Sequence, residues 1–127
     1  MGKNIEKTIS TSIDLPDHLT DYEKVALNSL ATELRKKLGD KLLFITLFGS
    51  KARGDFDAES DIDVFIVVRN DSDLHQQERV IIELASEISL RYNVVLSPLI
   101  MDISEYQWNQ RLKMPLIHFI ERQGVVL

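Results

Sequence analysis

Two apolar runs rich in β-branched and aromatic residues, KLLFITLF (Lys41–Phe48) and DIDVFIVV (Asp61–Val68), constrain this chain more than anything else in it. The first reads as a strand buried on both faces, because polar residues do not alternate through it, and the second reads as its partner. Gly49 stops the first run. The eleven residues Ser50 to Ser60 that follow leave room for a short helical turn and a loop, which suits neighbouring strands of one sheet. The connection is crowded with acids: Asp55, Asp57 and Glu59 precede Asp61 and Asp63, so carboxylates gather at the mouth of a core strand.

Around this pair the chain reads as alternating elements. Residues 1–16 are a polar lead-in closed by Pro16, mobile or forming a short added strand, which leaves 17–127 as the folded domain. Thr20-Asp21-Tyr22-Glu23 is a capping box, and Leu27, Leu30, Ala31, Leu34 and Leu38 repeat at helical spacing up to Gly39. Asn70, Asp71 and Ser72 offer N-caps for a second long helix with Leu74, Ile81, Leu84, Ala85 and Ile88 on one face. NVVLSPLI (Asn93–Ile100) predicts a third strand, with Pro98 restricting it to an edge or a strand end. Ser104 to Gln107 reads as another capping box, and a final helix from Pro115 to Arg122 closes on Gly124. The order is helix, strand, strand, helix, strand, helices.

A chain of 127 residues, 44% of them hydrophobic, fits one core and one site. It has no cysteine, which excludes a disulfide framework, a thiolate metal site and a cysteine nucleophile. No apolar run approaches the roughly 20 residues of a membrane span, and the N-terminus lacks an apolar signal core. A soluble cytoplasmic protein without a membrane partner is the expectation. Met1-Gly2 does not extend into a myristoylation signal, since Glu6 stands where Ser or Thr is wanted. A net charge of -5 argues against nucleic acid as the main partner, whereas a small anion bridged by a divalent cation is compatible with it. The densest basic cluster, Arg35-Lys36-Lys37, reads as a last helical turn favoured by the helix dipole.

Asp61 and Asp63 are i and i+2 at the start of a strand, so they share a face and can converge on one ion. Their mutual repulsion favours a divalent metal, and an oxygen-only set favours Mg2+ or Mn2+ over zinc. Gly49 lets a phosphate approach the backbone, Ser50 adds a hydroxyl, and the free N–H groups of a short helix at SKARG favour an anion. Lys51 and Arg53 are further candidate phosphate ligands in the same turn. Asp55, Asp57 and Glu59 read as solvated loop acids. His18, His75 and His118 have no ligand spacing and read as structural or exposed. Tyr106 and Trp108 read as core or interface residues rather than as a base-stacking platform. Ser50 is no nucleophile of the Gly-x-Ser-x-Gly kind, since its surroundings are Gly-Ser-Lys-Ala-Arg-Gly.

Gly49-Ser50, nine residues, then Ser60-Asp61-x-Asp63, set between two apolar strands, closely resembles the signature of the DNA polymerase β-like nucleotidyltransferases. The GSKARG variant, the short length and the ending LIHFIERQGVVL resemble the minimal nucleotidyltransferases that pair with HEPN toxins. The resemblance implies an α+β fold, a small mixed sheet flanked by helices, of the polymerase β palm type. It implies transfer of AMP, or another nucleoside monophosphate, from a nucleoside triphosphate to a hydroxyl, with ATP as substrate and Mg2+ as cofactor. In that pattern Asp61 and Asp63 are the catalytic metal ligands, Gly49 and Ser50 bind the β and γ phosphates, and Ser60 belongs to the nucleotide site. A HEPN toxin becomes the expected partner and antitoxin the expected role; an oligomer is compatible with it. Transfer to an antibiotic or another small molecule is a third reading, less favoured because so short a chain carries no second domain to build an acceptor pocket. The family's third carboxylate is missing: the strand NVVLSPLI has no acid, the aligned position is Val95 with Ser97 as its same-face neighbour, and Asp102, which follows the strand, is the remaining candidate metal ligand if it reaches back. This leaves a weakened, nucleotide-binding antitoxin that acts by occupying its partner as the alternative reading.

Overall fold

The computed structural model describes residues 15–55, 60–70 and 73–127. Helix α1 (Asp21–Leu38) begins at the expected capping box, the Thr20 hydroxyl accepting the Glu23 amide at 3.1 Å and Glu23 accepting the Thr20 amide at 2.8 Å. Acids in its first turn and Arg35, Lys36 and Lys37 in its last complement the helix dipole. Leu27, Leu30, Ala31 and Leu34 are wholly buried, as their spacing requires.

Strand β1 (Leu42–Phe48) runs into the short helix α2 (Ser50–Arg53), and the chain returns as β2 (Ile62–Val68). The two strands are antiparallel, with Leu47 opposite Val64 and Phe48 opposite Asp63. Helix α3 (Leu74–Tyr92) then crosses over, and β3 (Leu96–Asp102) lies parallel to β2 with Ser97 beside Asp63 and Asp102 beside Val68. Helices α4 (Ile103–Arg111) and α5 (Pro115–Gln123) follow, and β4 (Val125–Val126) pairs antiparallel with β1. The result is an α+β fold: a mixed four-stranded sheet in the order β3-β2-β1-β4, flanked by helices.

Alternation along β2 divides the interior. Ile62, Val64, Ile66 and Val68 join α1 and α3 in the main core, while Phe65 and Val67 join Ile117 and Ile120 of α5 in a smaller one. Asp63 has the parity of Phe65 and Val67, so it belongs to the α4–α5 side of the sheet. Pro98 is in β3, an edge strand, where its missing N–H is tolerated.

The structure corrects several local expectations. Asp73 is the N-cap position of α3, whereas Asn70 donates to the Ser104 hydroxyl at 2.8 Å; Asp71 and Ser72 lie outside the described residues. Helix α4 is capped two residues earlier than the Ser104 box implies, because the Asp102 carboxylate accepts the Glu105 amide at 2.8 Å. The third strand starts at Leu96 rather than Asn93, and β4 is a strand that two valines were too short to signal. Gly124 does not end α5 in a left-handed turn: its φ is -72°. Its role is space. A Cβ there would run into the Ile120 carbonyl oxygen and the Thr46 Cγ2, so only glycine lets the end of α5 meet β1. Gly124→Ala is expected to cost about 1–3 kcal/mol as an overpacked site, read as a lower urea midpoint at unchanged slope.

Candidate functional site

The antiparallel register brings the C-terminal end of β1 beside the N-terminal end of β2, and with them the two halves of the sequence signature. Gly49 has φ 77° and ψ -158°, a conformation that side chains rarely allow. A Cβ on Gly49 would stand 2.5 Å from the Asp63 Oδ2. The carboxylate therefore lies directly against the backbone of the Gly-Ser turn, and conformation and contact both demand glycine. From Ser50 the turn closes on itself, the Ala52 and Arg53 amides donating to the Gly49 carbonyl and the Gly54 amide to the Ser50 carbonyl.

Asp61 is exposed and Asp63 half-buried. Burial pushes the Asp63 carboxyl above the ordinary aspartate range, the Asp61 charge pushes it further, and the Arg53 guanidinium opposes both. Arg53 is thus close enough to act on Asp63; its Nε also donates to Asp55 at 3.2 Å. Asp55 is exposed, as expected of a loop acid, and Asp57 and Glu59 lie outside the described residues. Ser60 precedes the pair and is half-buried.

Lys51 is not brought to this group. Its side chain is only 1% exposed and its ammonium pairs with the Glu23 carboxylate beneath the turn. Glu23 gains from this twice over: burial would raise its pKa, but the hydrogen bonds from Lys51 and Thr20 outweigh it and hold the carboxyl below the ordinary glutamate range. His18, expected to be structural or exposed, meets the same turn at the Lys51 carbonyl (2.5 Å) and lies close to Gly54. His75 is exposed beside Glu78, and His118 is exposed next to Phe119.

Asp102 is also remote. It pairs with Val68 at the far end of the sheet, five residues along from Ser97 and Asp63, which is roughly 16 Å of strand, and it caps α4. Ser97 holds the register position beside Asp63, while Val95 precedes β3, is 54% exposed and accepts the Ile62 amide through its carbonyl. Tyr106 is a core residue: its ring packs on Phe44 and Phe65 at 5.2 and 5.6 Å, and its hydroxyl donates to Glu121 at 2.6 Å. Burial and that bond push its pKa up to about 12. Trp108 is exposed, with Arg111 6.0 Å from its ring.

A family model for the nucleotidyltransferase domain matches residues 27–123, a span that contains both halves of this site. The chain belongs to the nucleotidyltransferase domain family. Among curated relatives, a Methanocaldococcus jannaschii protein whose name proposes protein adenylyltransferase activity is 41% identical over 88 residues, 69% of this chain and 81% of that protein. A second protein of the same organism, named in the same way, is 32% identical over 105 residues, 83% and 97% of the two chains. A solved toxin-antitoxin structure with AMP-PNP aligns with TM-score 0.45 and 20% identity, covering 84% of this chain and 72% of the other.

Nucleotidyltransferases use a nucleoside triphosphate and divalent metal, and the donor set here can be compared with that need. Asp61 and Asp63 offer only oxygen ligands, and their repulsion is the kind a hard cation relieves. Mg2+ takes one or two carboxylates and completes its shell with phosphate oxygens and water, so the pair fits one such ion. Among the described residues no group of three or more His, Cys, Asp and Glu side chains gathers as a metal site.

The pKa directions make two expectations. Asp63 is raised in the folded protein, so its ionisation costs stability above its folded pKa and the cost vanishes once pH falls low enough to protonate it. Asp63→Asn should therefore raise Tm at pH 7, with the gain disappearing in an acid-side melting series. Lys51→Met strands the Glu23 charge in the interior and should cost about 3–5 kcal/mol by urea titration, with Glu23→Gln in the same chain recovering much of the loss.

Proposed function

We propose that this nucleotidyltransferase transfers AMP from ATP to a hydroxyl on a protein partner with Mg2+ or Mn2+, and that the partner is a HEPN-type toxin, which makes the chain an antitoxin. The observation that supports it most is the approach of Asp63 to Gly49, which sets a candidate metal ligand against a candidate phosphate turn. Relatives whose names propose protein adenylyltransferase activity support a protein acceptor. The toxin partner rests on the resemblance of GSKARG and SDID to the minimal nucleotidyltransferases.

In this reading the backbone at Gly49 and Ser50 receives the β and γ phosphates, Ser50 and Ser60 add hydroxyls, and Arg53 adds positive charge at the rim. Lys51 supports the turn from below instead of touching the triphosphate. Asp61 and Asp63 hold the cation, which when bound neutralises phosphate charge and lowers the pKa of the attacking hydroxyl. The chain's share of catalysis is positioning: it keeps the α phosphorus between the incoming oxygen and the departing pyrophosphate.

A second reading, an antitoxin that binds its partner with a weakened catalytic site, is favoured by one feature, the serine at Ser97 on β3 and the valine at Val95 just before it, where the resemblance would place a third acid. Incubation with α-labelled ATP, Mg2+ and a co-encoded HEPN protein separates the two. Label on the partner, reduced at least about 100-fold by Asp61→Asn/Asp63→Asn, is the expected result. A double variant that transfers nothing yet still neutralises the toxin supports the binding antitoxin. No label on the partner, with the double variant indistinguishable from wild type in cells, ends the transferase reading.

A further inference from the structure

Helix α5 carries more apolar surface than the sheet takes up. Ile117 and Ile120 are buried with Phe65 and Val67, yet Leu116 and Phe119, three residues apart and so on one side of the helix, are 45% and 55% exposed. They form one wall of a trough of about 390 Å³, lined across from them by Phe48, Gly49 and Arg53. Phe48 stands directly opposite Asp63 in the register of β1 and β2, so the two side chains share a face and the trough lies on the side of the sheet that carries the carboxylate. Gly49 and Arg53 belong to the candidate nucleotide site and mark where the trough meets it. Leu116 and Phe119 have no part in that site.

The surroundings of the trough have the chemistry of a protein interface. Five of the twelve large apolar side chains exposed among the described residues, Trp108, Leu112, Met114, Leu116 and Phe119, fall on α4, α5 and the turn between them. The same segment, 108–123, holds three exposed cations, Arg111, Lys113 and Arg122, against one acid, Glu121, which already accepts hydrogen bonds from Tyr106 and Gln110. Three cations against one acid make a net +2 in a chain of net -5. Aromatic residues, methionine and arginine are the types that concentrate in protein interfaces. Nucleic acid needs a denser basic surface than three cations on an acidic chain. A symmetric pair of copies joined through this face would bring Arg111, Lys113 and Arg122 toward their own counterparts, and like charges set together select against such a pairing.

We propose that the α4–α5 face and its trough dock the partner protein, through a segment of that partner in which apolar side chains are flanked by acids. The inference rests on the reading of a protein partner above and adds where the partner sits and what its contacting surface is made of. Apolar side chains of the partner cover Leu116 and Phe119, and its carboxylates meet Arg111, Lys113 and Arg122. Because the trough ends on Gly49 and Arg53, a partner seated in it is held at the rim of the phosphate turn, on the face of the sheet that carries Asp63.

The test uses the full chain and the purified co-encoded HEPN protein, with binding measured by calorimetry at low and high salt. Leu116→Glu, Phe119→Glu and the double charge reversal Arg111→Glu/Arg122→Glu are compared with Ile82→Glu on the exposed surface of α3; all of these positions are exposed, and melting curves check that each variant folds. Affinity for Mg2+ with the non-transferable analogue AMP-CPP is measured on the same proteins. The expected result is a loss of at least tenfold (about 1.4 kcal/mol) in partner affinity for Leu116→Glu and Phe119→Glu, and a weaker, less salt-dependent affinity for the charge reversal. Ile82→Glu and every AMP-CPP affinity should stay within twofold of wild type. Undiminished partner binding by Leu116→Glu and Phe119→Glu overturns the proposal and leaves the partner reading standing, whereas no binding by the wild type removes both. A charge reversal without effect overturns the acidic assignment. A parallel loss of AMP-CPP affinity gives the trough to the nucleotide instead, a wild-type dimer that Phe119→Glu turns into monomers gives the face to a second copy, and binding of a single-stranded oligouridine that the same variants lose gives it to nucleic acid; each of these overturns the proposal.

Discussion

The pairing of Phe48 with Asp63 is the constraint on which the site depends. A slip of one residue between β1 and β2 would turn Asp63 toward α1 and α3 and place Val64 against solvent or the smaller core. Ile45 and Leu47 on β1 and Val64 and Ile66 on β2 are wholly buried in the main core, so the apolar pattern that builds the interior also fixes the address of the carboxylate. Core and site are not separable here: burying each such side chain contributes about 1.5–3 kcal/mol, and all of it is forfeited by the wrong register.

The Gly-Ser turn is then held from beneath. Glu23 completes the capping box of α1 with one oxygen and pairs with Lys51 of α2 with the other, while His18 meets the Lys51 carbonyl. Two segments distant in sequence, residues 18–23 and the turn itself, meet here, which orders the turn's backbone before any ligand arrives. A buried ion pair is a poor source of net stability but a strict one geometrically, since either charge left alone is expensive.

Much of this was legible in the residues. The capping box, the helical repeat of α1 and the two apolar runs gave the order of elements, and the spacing of Gly49-Ser50 from Asp61 and Asp63 pointed to the two halves of the candidate site, which the register of β1 and β2 sets side by side. What stayed hidden depends on tertiary contact. Lys51 stands among solvent-facing turn residues in the sequence, and nothing local says that a carboxylate of a capping box lies beneath it. Asp102 follows a strand that begins at the site, yet a parallel crossover carries its far end away. Val125 and Val126 become a strand only because β1 leaves an edge for them. Ser104 carries the residue type of a cap, but the Asp102 carboxylate two residues earlier is the group that meets the first free amide of α4.

Pro98 has a consequence for how this sheet meets its surroundings. It interrupts β3, the strand whose outer side has no neighbouring strand among the described residues, and removes a donor from an otherwise ready template. An edge so interrupted resists being lengthened by a passing strand from another molecule.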